Sequence, residues 1–405
     1  VHKAIIEGWI TAASAVRFGG IAGTVSTMSF GNRIGLRMPD SFSKTRLFCL
    51  EPGALVLELA PGVDERKALP GIEVIHLGET LSEPVMEIGA VRMPLDGLQA
   101  AWTGTLEPIF PTRSAQGTGM VERTVLSAPA TKLHAQTAIA RPRVFIPVFP
   151  GTNCEYDTAR AFAEAGAVPD VFVMNNLSAR EIDASVHEME KRIRNSQMIM
   201  LPGGFSAGDE PEGSGKFIAT VFRNPWLSEA VMDLLKNRDG LVLGICNGFQ
   251  ALVKLGLLPY GEIRPLTDHC PTLTFNQIGR HISCLVQTRN VSTLSPWLMK
   301  ESLGDMRHVA VSHGEGRFVA EEGVLEALAA AGQIASQYVD PNGNPTMDVR
   351  YNPNGSDWAV EAITSADGRV FGRMGHSERH TRHAYRNVPG QYDSKLFEGG
   401  VSYFR

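Results

Sequence analysis

The chain has 405 residues, of which 43% are hydrophobic and 20% charged, with a formal net charge of -5. That length allows two or three domains with ample core, and the mildly acidic balance leaves no basic footprint for nucleic acid. No apolar run reaches about 18 residues, so no membrane span is expected, and no signal-peptide pattern opens the chain. The five cysteines (Cys49, Cys154, Cys246, Cys270 and Cys284) are irregularly spaced, which argues against a disulfide framework and suits a reducing, cytoplasmic setting.

Val1 stands inside an amphipathic pattern, so the chain is expected to begin within a domain. The pattern predicts a helix from His2 to Phe18, a turn over Gly19–Gly23, and apolar runs at Ala54–Leu59 and Ile72–Gly78 separated by Pro and Gly. Together they indicate a mixed α+β region over 1–118. Residues 119–140 have weak periodicity and read as a linker that must pack on a neighbour if ordered. Beyond Arg141 the texture changes to alternating strand and helix. Strands are predicted at Val144–Val148, Val171–Met174, Met198–Leu201 and Leu241–Ile245, with helices after Cys154 and from Ser178 to Asn195. This spacing implies an α/β fold with a doubly wound, mostly parallel sheet over 141–405. Ligands bind such sheets at the carboxyl ends of strands, where three polar, Gly-bearing turns stand: PGTNCE, LPGGFSAGD and GICNGFQ.

The third turn carries Cys246 between the run Leu241–Ile245 and a helical pattern of Phe249, Leu252, Val253 and Leu255. Gly244 and Gly248 permit a tight elbow, and a thiol at a helix N-terminus is biased toward thiolate. A cysteine nucleophile needs a base, and the base an orienting acceptor. His376 and Glu378, one residue apart, supply both if the backbone is extended so that i and i+2 project to the same side. Acyl transfer also needs oxyanion donors, which the backbone N–H groups of Gly204 and Asn247 can provide. Equally, Cys246 could be a buried small residue, His376 and Glu378 a solvated pair, and the glycines turn formers.

The motifs GTNC, LPGGFSAGD, GICNGFQ, SHGEGRF and GHSER, in this order over 141–405, resemble the class I, triad-type glutamine amidotransferase domain of the phosphoribosylformylglycinamidine synthase family, with its flavodoxin-like fold. LFCLEPGALVLELAPG, VIHLGET and LDGLQAAWTGTLEPIFPT resemble, more loosely, the last part of that family's synthetase region, a partial α+β domain. The resemblance implies Cys246 as nucleophile, His376 as general base and acid, and Glu378 as its orienter. Gln250, His313 and Gly314 would bind L-glutamine, while Glu315 and Arg317 would hold the loop or a domain interface. No cofactor is implied in this chain. ATP and Mg2+ are expected in an upstream synthetase region, the implied partner, so the chain alone is expected to be at most a slow glutaminase. Two departures stand out: Ser377 where the family usually has Pro, expected to loosen the local backbone, and Ala207 where it often has Tyr.

Other patterns carry less. His376, His380 and His383 have a zinc-like helical spacing, but Gly375 and the missing apolar face argue against a helix, and no metal is expected. Cys154 reads as turn packing or an interface contact. GDEPEGSGKF fails as a phosphate loop, with Glu210 where glycine is needed and Phe217 where Ser or Thr is needed. The alternatives are a glutaminase domain serving another ATP-dependent synthetase and a catalytically silent docking module.

Overall fold

Strands buried on both faces of a sheet read as unbroken apolar runs, and three such runs form the middle of the larger of two compact units, Val1–Thr112 and Arg113–Arg405. The computed structural model describes residues 1–405 except 41, 43, 113, 115–125, 128–133, 207–213 and 382.

In the first unit Ile10–Ala15 pairs antiparallel with Leu55–Leu59. A separate four-stranded sheet runs in the order Glu79–Leu81, Gly35–Met38, Val85–Ile88, Val91–Pro94. Val25, Met38, Met86 and Leu95 belong to its core. Three expectations change here. The opening helix stops at Ile6 and the chain turns into a strand from Ile10. The Gly19–Gly23 cluster opens a 13-residue helix, Gly20–Asn32, and its glycine at 20 is a matter of space, since a side chain there would strike the Leu47 and Cys49 carbonyls at 2.5 and 2.8 Å. Residues 72–78 form no strand, and regular pairing begins only at Glu79.

The second unit contains, in chain order, β1 (Arg143–Val148), α1 (Glu155–Glu164), β2 (Val168–Val173), α2 (Ala179–Arg194), β3 (Met198–Leu201), α3 (Lys216–Phe222), α4 (Pro225–Asn237), β4 (Leu241–Ile245) and α5 (Asn247–Leu255). They are followed by β5 (Thr272–Phe275), β6 (Ile282–Asn290), β7 (Met306–His313), β8 (Glu315–Val319), α6 (Glu322–Ala330), β9 (Ile334–Tyr338), β10 (Val360–Thr364), β11 (Val370–Arg373) and α7 (Leu396–Ser402). One nine-stranded sheet runs β7-β6-β9-β10-β11-β4-β3-β1-β2. Its half from β11 to β2 is parallel, as expected of a doubly wound fold. The other half, β7 to β10, extends the sheet with antiparallel strands, and β10 pairs antiparallel with β11.

Local chemistry sets the ends of these elements. Ser178 caps α2 by accepting from Glu181 N–H at 3.3 Å while its hydroxyl donates to the Glu181 carboxylate at 2.9 Å. Asn224 caps α4, with Pro225 at its first position. The described residues of the expected linker lie along this unit: Ser127 N–H donates to Val291 O, Ala135 N–H to Tyr403 O and Ile139 N–H to Phe404 O. Ala207 and most of the rejected phosphate-loop string lie outside the described residues. No described helix is long and apolar enough to cross a membrane.

Candidate active site

Cys246 lies at the carboxyl end of β4, where the strand turns into α5. Its backbone takes φ 52°, ψ -107°, which a residue with a Cβ adopts only under strain of about 1–3 kcal/mol. The strain is held by packing. A Cβ on Gly248 would meet Leu201 O at 1.9 Å, and one on Gly244 would meet Gly248 C at 2.7 Å, so both glycines are needed to bring α5 down onto β3 and β4. Cys246 N–H donates to Arg373 O at 2.8 Å, which ties the elbow to β11. Cys246 is 4% exposed and its thiol donates to Ser312 O at 3.6 Å.

The turn after β11 carries the other two predicted residues to the same place, although they are 130 and 132 positions away (376 - 246 and 378 - 246). His376 Nδ1 and Glu378 Oε1 are 2.6 Å apart, both side chains at most 1% exposed. The local backbone is not the extended segment expected. His376 precedes a short 3-10 turn, Ser377–Arg379, which brings the two side chains together instead. The turn ends at His380 in extended backbone, so the zinc-like helical spacing of the histidines is not realised. Burial pushes the His376 pKa down, but the Glu378 carboxylate, then Cys246 and Cys154, outweigh it and hold the imidazole well above its ordinary value. Burial likewise opposes ionisation of Glu378, yet His376 keeps that carboxyl below its usual range. His376 Nε2 has no hydrogen-bond partner of ordinary geometry among the described residues, while Cys246 is near enough to raise the ring's pKa. The set is therefore an imidazole braced by a carboxylate and coupled to a thiol, an arrangement able to generate a thiolate and pass a proton onward.

Gly204 follows β3 in a bridge with Thr152, flanked by the bonds Asn153 N–H to Gly203 O (3.3 Å) and Phe205 N–H to Gly151 O (2.8 Å). This pattern turns the Gly204 N–H away from its bridge partner. Its φ of 150° and a notional Cβ only 2.5 Å from Gly151 O exclude a side chain. Asn247 is the first residue of α5, where a backbone N–H has no partner within the helix. Its side chain accepts from Ser206 N–H at 3.2 Å and donates to Gln250 Oε1 at 3.0 Å.

Gln250 is buried and ties α5 to the start of β8: Oε1 accepts from Asn247 within the helix, and Nε2 donates to Glu315 O. Glu315 holds the Ser214 N–H at 2.8 Å, a loop-holding role as expected. His313 is pushed to a pKa of about 3 by burial, with His376 and His281 adding to the effect, so it is a neutral imidazole. Asn276 organises the loop around it, through Oδ1 contacts with His313 Nδ1 (3.0 Å) and Gly316 N–H (3.1 Å) and a bond from Nδ2 to His313 O (2.7 Å). Gly314 O accepts from Asn276 N–H at 2.9 Å.

Two residues make contacts that the sequence reading did not specify. Cys154, read as turn packing or an interface contact, packs against His376: its Sγ is 3.9 Å from His376 Nδ1 and accepts from Arg379 at 3.3 Å. Cys154, His376 and Glu378 are also the described residues whose ligand atoms cluster closely enough to consider a metal. Placing PGTNCE and LPGGFSAGD at neighbouring strand ends was the available signal. Ser377, expected to loosen the turn, has its hydroxyl engaged: it accepts from Arg373 at 2.8 Å.

Residues 141–404 match the family model described as the CobB/CobQ-like glutamine amidotransferase domain. The phosphoribosylformylglycinamidine synthase subunit PurQ of Methanococcus maripaludis is 35% identical over 59% of this chain and 82% of its own length. The subunit of the same name from Aquifex aeolicus is 32% identical over 62% of this chain and 94% of its own. A solved structure of PurLQS from Thermotoga maritima aligns at 25% identity over 65% of this chain and 100% of that chain, with a TM-score of 0.47. On the family model and the sequence relatives, the chain belongs to the CobB/CobQ-like glutamine amidotransferase family, with the phosphoribosylformylglycinamidine synthase PurQ subunits among its relatives.

Proposed function

We propose that this glutamine amidotransferase is the glutaminase part of phosphoribosylformylglycinamidine synthase in purine biosynthesis, working in the cytoplasm. The observation that carries the catalytic reading is the buried 2.6 Å contact of His376 with Glu378 beside a strained Cys246. Cys246, as thiolate, attacks the side-chain amide carbon of L-glutamine, and the oxyanion is stabilised by the N–H groups of Gly204 and Asn247. His376 protonates the departing ammonia, a thioester remains, and water deprotonated by His376 releases glutamate. Glu378 holds the imidazole in the orientation that both steps use. Gln250, His313 and Gly314 shape the glutamine pocket. The neutral His313 can only accept at one nitrogen while the other donates to Asn276.

The ammonia then serves a synthetase region that uses ATP and Mg2+ to convert formylglycinamide ribonucleotide to formylglycinamidine ribonucleotide. The test is mass spectrometry after treatment with a diazo-ketone glutamine analogue, comparing wild type with Cys246→Ser. A single adduct on Cys246, absent from the variant, is expected. Failure of folded wild type to react at Cys246 refutes the reading.

A further inference from the structure

Arg373 is bonded to both the Cys246 elbow and the turn that carries His376. It closes β11, and its carbonyl accepts the Cys246 N–H at 2.8 Å. Its guanidinium is buried and forks onto Glu361, Nε to Oε1 and Nη2 to Oε2 each at 3.1 Å, while Nη1 donates to Ser377 Oγ at 2.8 Å. Glu361 in turn accepts the Gly375 N–H at 2.8 Å and the Ser336 hydroxyl. The two residues that flank His376, Gly375 and Ser377, are thus both bonded to one buried ion pair. His376's own N–H goes to Ala310 O at 2.8 Å. Gly375 has no room for a side chain, since a Cβ would meet Val309 at 2.7 Å and Glu361 Oε1 at 2.9 Å.

We propose that Arg373, Glu361 and Ser377 form a positioning clamp that sets His376 in register with Cys246. A buried ion pair contributes little net stability compared with apolar residues of the same volume, because desolvation offsets its attraction. What it does supply is direction: a planar guanidinium fork fixes angle as well as distance. Arg373 uses that fork on the base-bearing turn and its backbone carbonyl on the nucleophile's elbow, so movement of one is felt by the other. A proline at 377 would offer Arg373 no side-chain acceptor. The hydroxyl at this departure therefore fixes the turn through the arginine. The clamp matters because proton transfer between ring and sulfur depends on sub-ångström placement.

The inference rests on reading Cys246 and His376 as nucleophile and base. Its test measures the inactivation rate constant and the half-saturating concentration of the diazo-ketone glutamine analogue at Cys246, with thermal unfolding alongside, on the full chain. Ser377→Ala is expected to slow inactivation about tenfold, with half-saturation unchanged and the unfolding temperature within about 3 °C. Ser377→Thr, which keeps the hydroxyl, is expected to recover most of that rate. Arg373→Lys, whose compact ammonium lacks the planar fork that spans both Glu361 oxygens and Ser377, is expected to be slower still, and if it does not fold the serine pair decides. Wild-type rates in Ser377→Ala, or equal losses in the Ala and Thr variants, overturn the clamp alone. A wild-type chain that does not react at Cys246 overturns the active-site reading and the clamp with it.

Discussion

Glu378→Gln keeps the shape of the side chain and removes its charge. In the native site the carboxylate sits 2.6 Å from His376 Nδ1, with both groups buried. Two charges about 4 Å apart in surroundings with an effective dielectric near 20 attract by about 4 kcal/mol, and a hydrogen bond to a charged group contributes about 1.5–3 kcal/mol. These figures overlap rather than add, so the loss of stabilisation of the imidazolium is about 3–4 kcal/mol, or about 10²–10³ in rate. The neutral amide also permits the wrong ring tautomer, which pushes the effect toward the upper end. With Glu378 gone, burial is left as the main influence on His376, so its pKa falls. Steady-state glutamate release measured against pH should show kcat reduced by that factor, KM changed little, and the limb that reports His376 displaced to lower pH. A kcat within threefold of wild type, with an unmoved profile, refutes the argument that the carboxylate charge sustains the base. The pair also has a stability window. His376's raised pKa stabilises the fold below its unfolded value and the contribution is lost as pH rises through the folded value. Glu378's lowered pKa contributes above its unfolded value and is lost as pH falls through the folded one.

Gly203→Ala places a methyl 2.6 Å from His376 Cε1 and 3.2 Å from Cys154 Sγ; the imidazole must move, and Cys246 labelling should slow by at least about tenfold while circular dichroism stays native. His313 is held near pKa 3 against an ordinary 6.5, so the unfolded chain binds the extra proton and this residue's contribution to stability declines as pH falls from about 6.5 to about 3. Urea unfolding at several pH values should show up to about 1.4 kcal/mol per pH unit from this group, removed in His313→Gln; an identical slope in the variant would contradict the assignment of a buried neutral imidazole.

Much of the site was legible in one dimension because its parts obey local rules. The elbow at Cys246 needs an apolar strand, two small residues and a helix start, all within 241–256. Parallel strands β1, β3 and β4 were legible because burial on both faces leaves an unbroken apolar run, whereas β11, parallel and equally buried, was not among the predicted strands. The antiparallel half of the sheet was not, since strands such as β6 have only part of their residues buried and owe their pairing to neighbours distant in sequence. The opening helix misled because the amphipathic pattern of the first residues does not reveal that Ile10–Ala15 has a partner at Leu55–Leu59.

The sequence by itself determined the family and singled out Cys246, His376 and Glu378 as the candidate residues, since these lie in contiguous motifs whose residue types and order carry the resemblance. Tertiary structure alone decided how the pair meets, through a 3-10 turn instead of an extended segment, and that Cys154 abuts His376 across 222 positions. It also decided that Ser377 is fastened by Arg373. Cys154 reaches His376 from another strand end, a contact that no local pattern encodes, whereas His376–Glu378 and Arg373–Ser377 are close in sequence and meet because the turn, bonded to Glu361 and Ala310 on neighbouring strands, takes a backbone conformation that residue spacing does not specify.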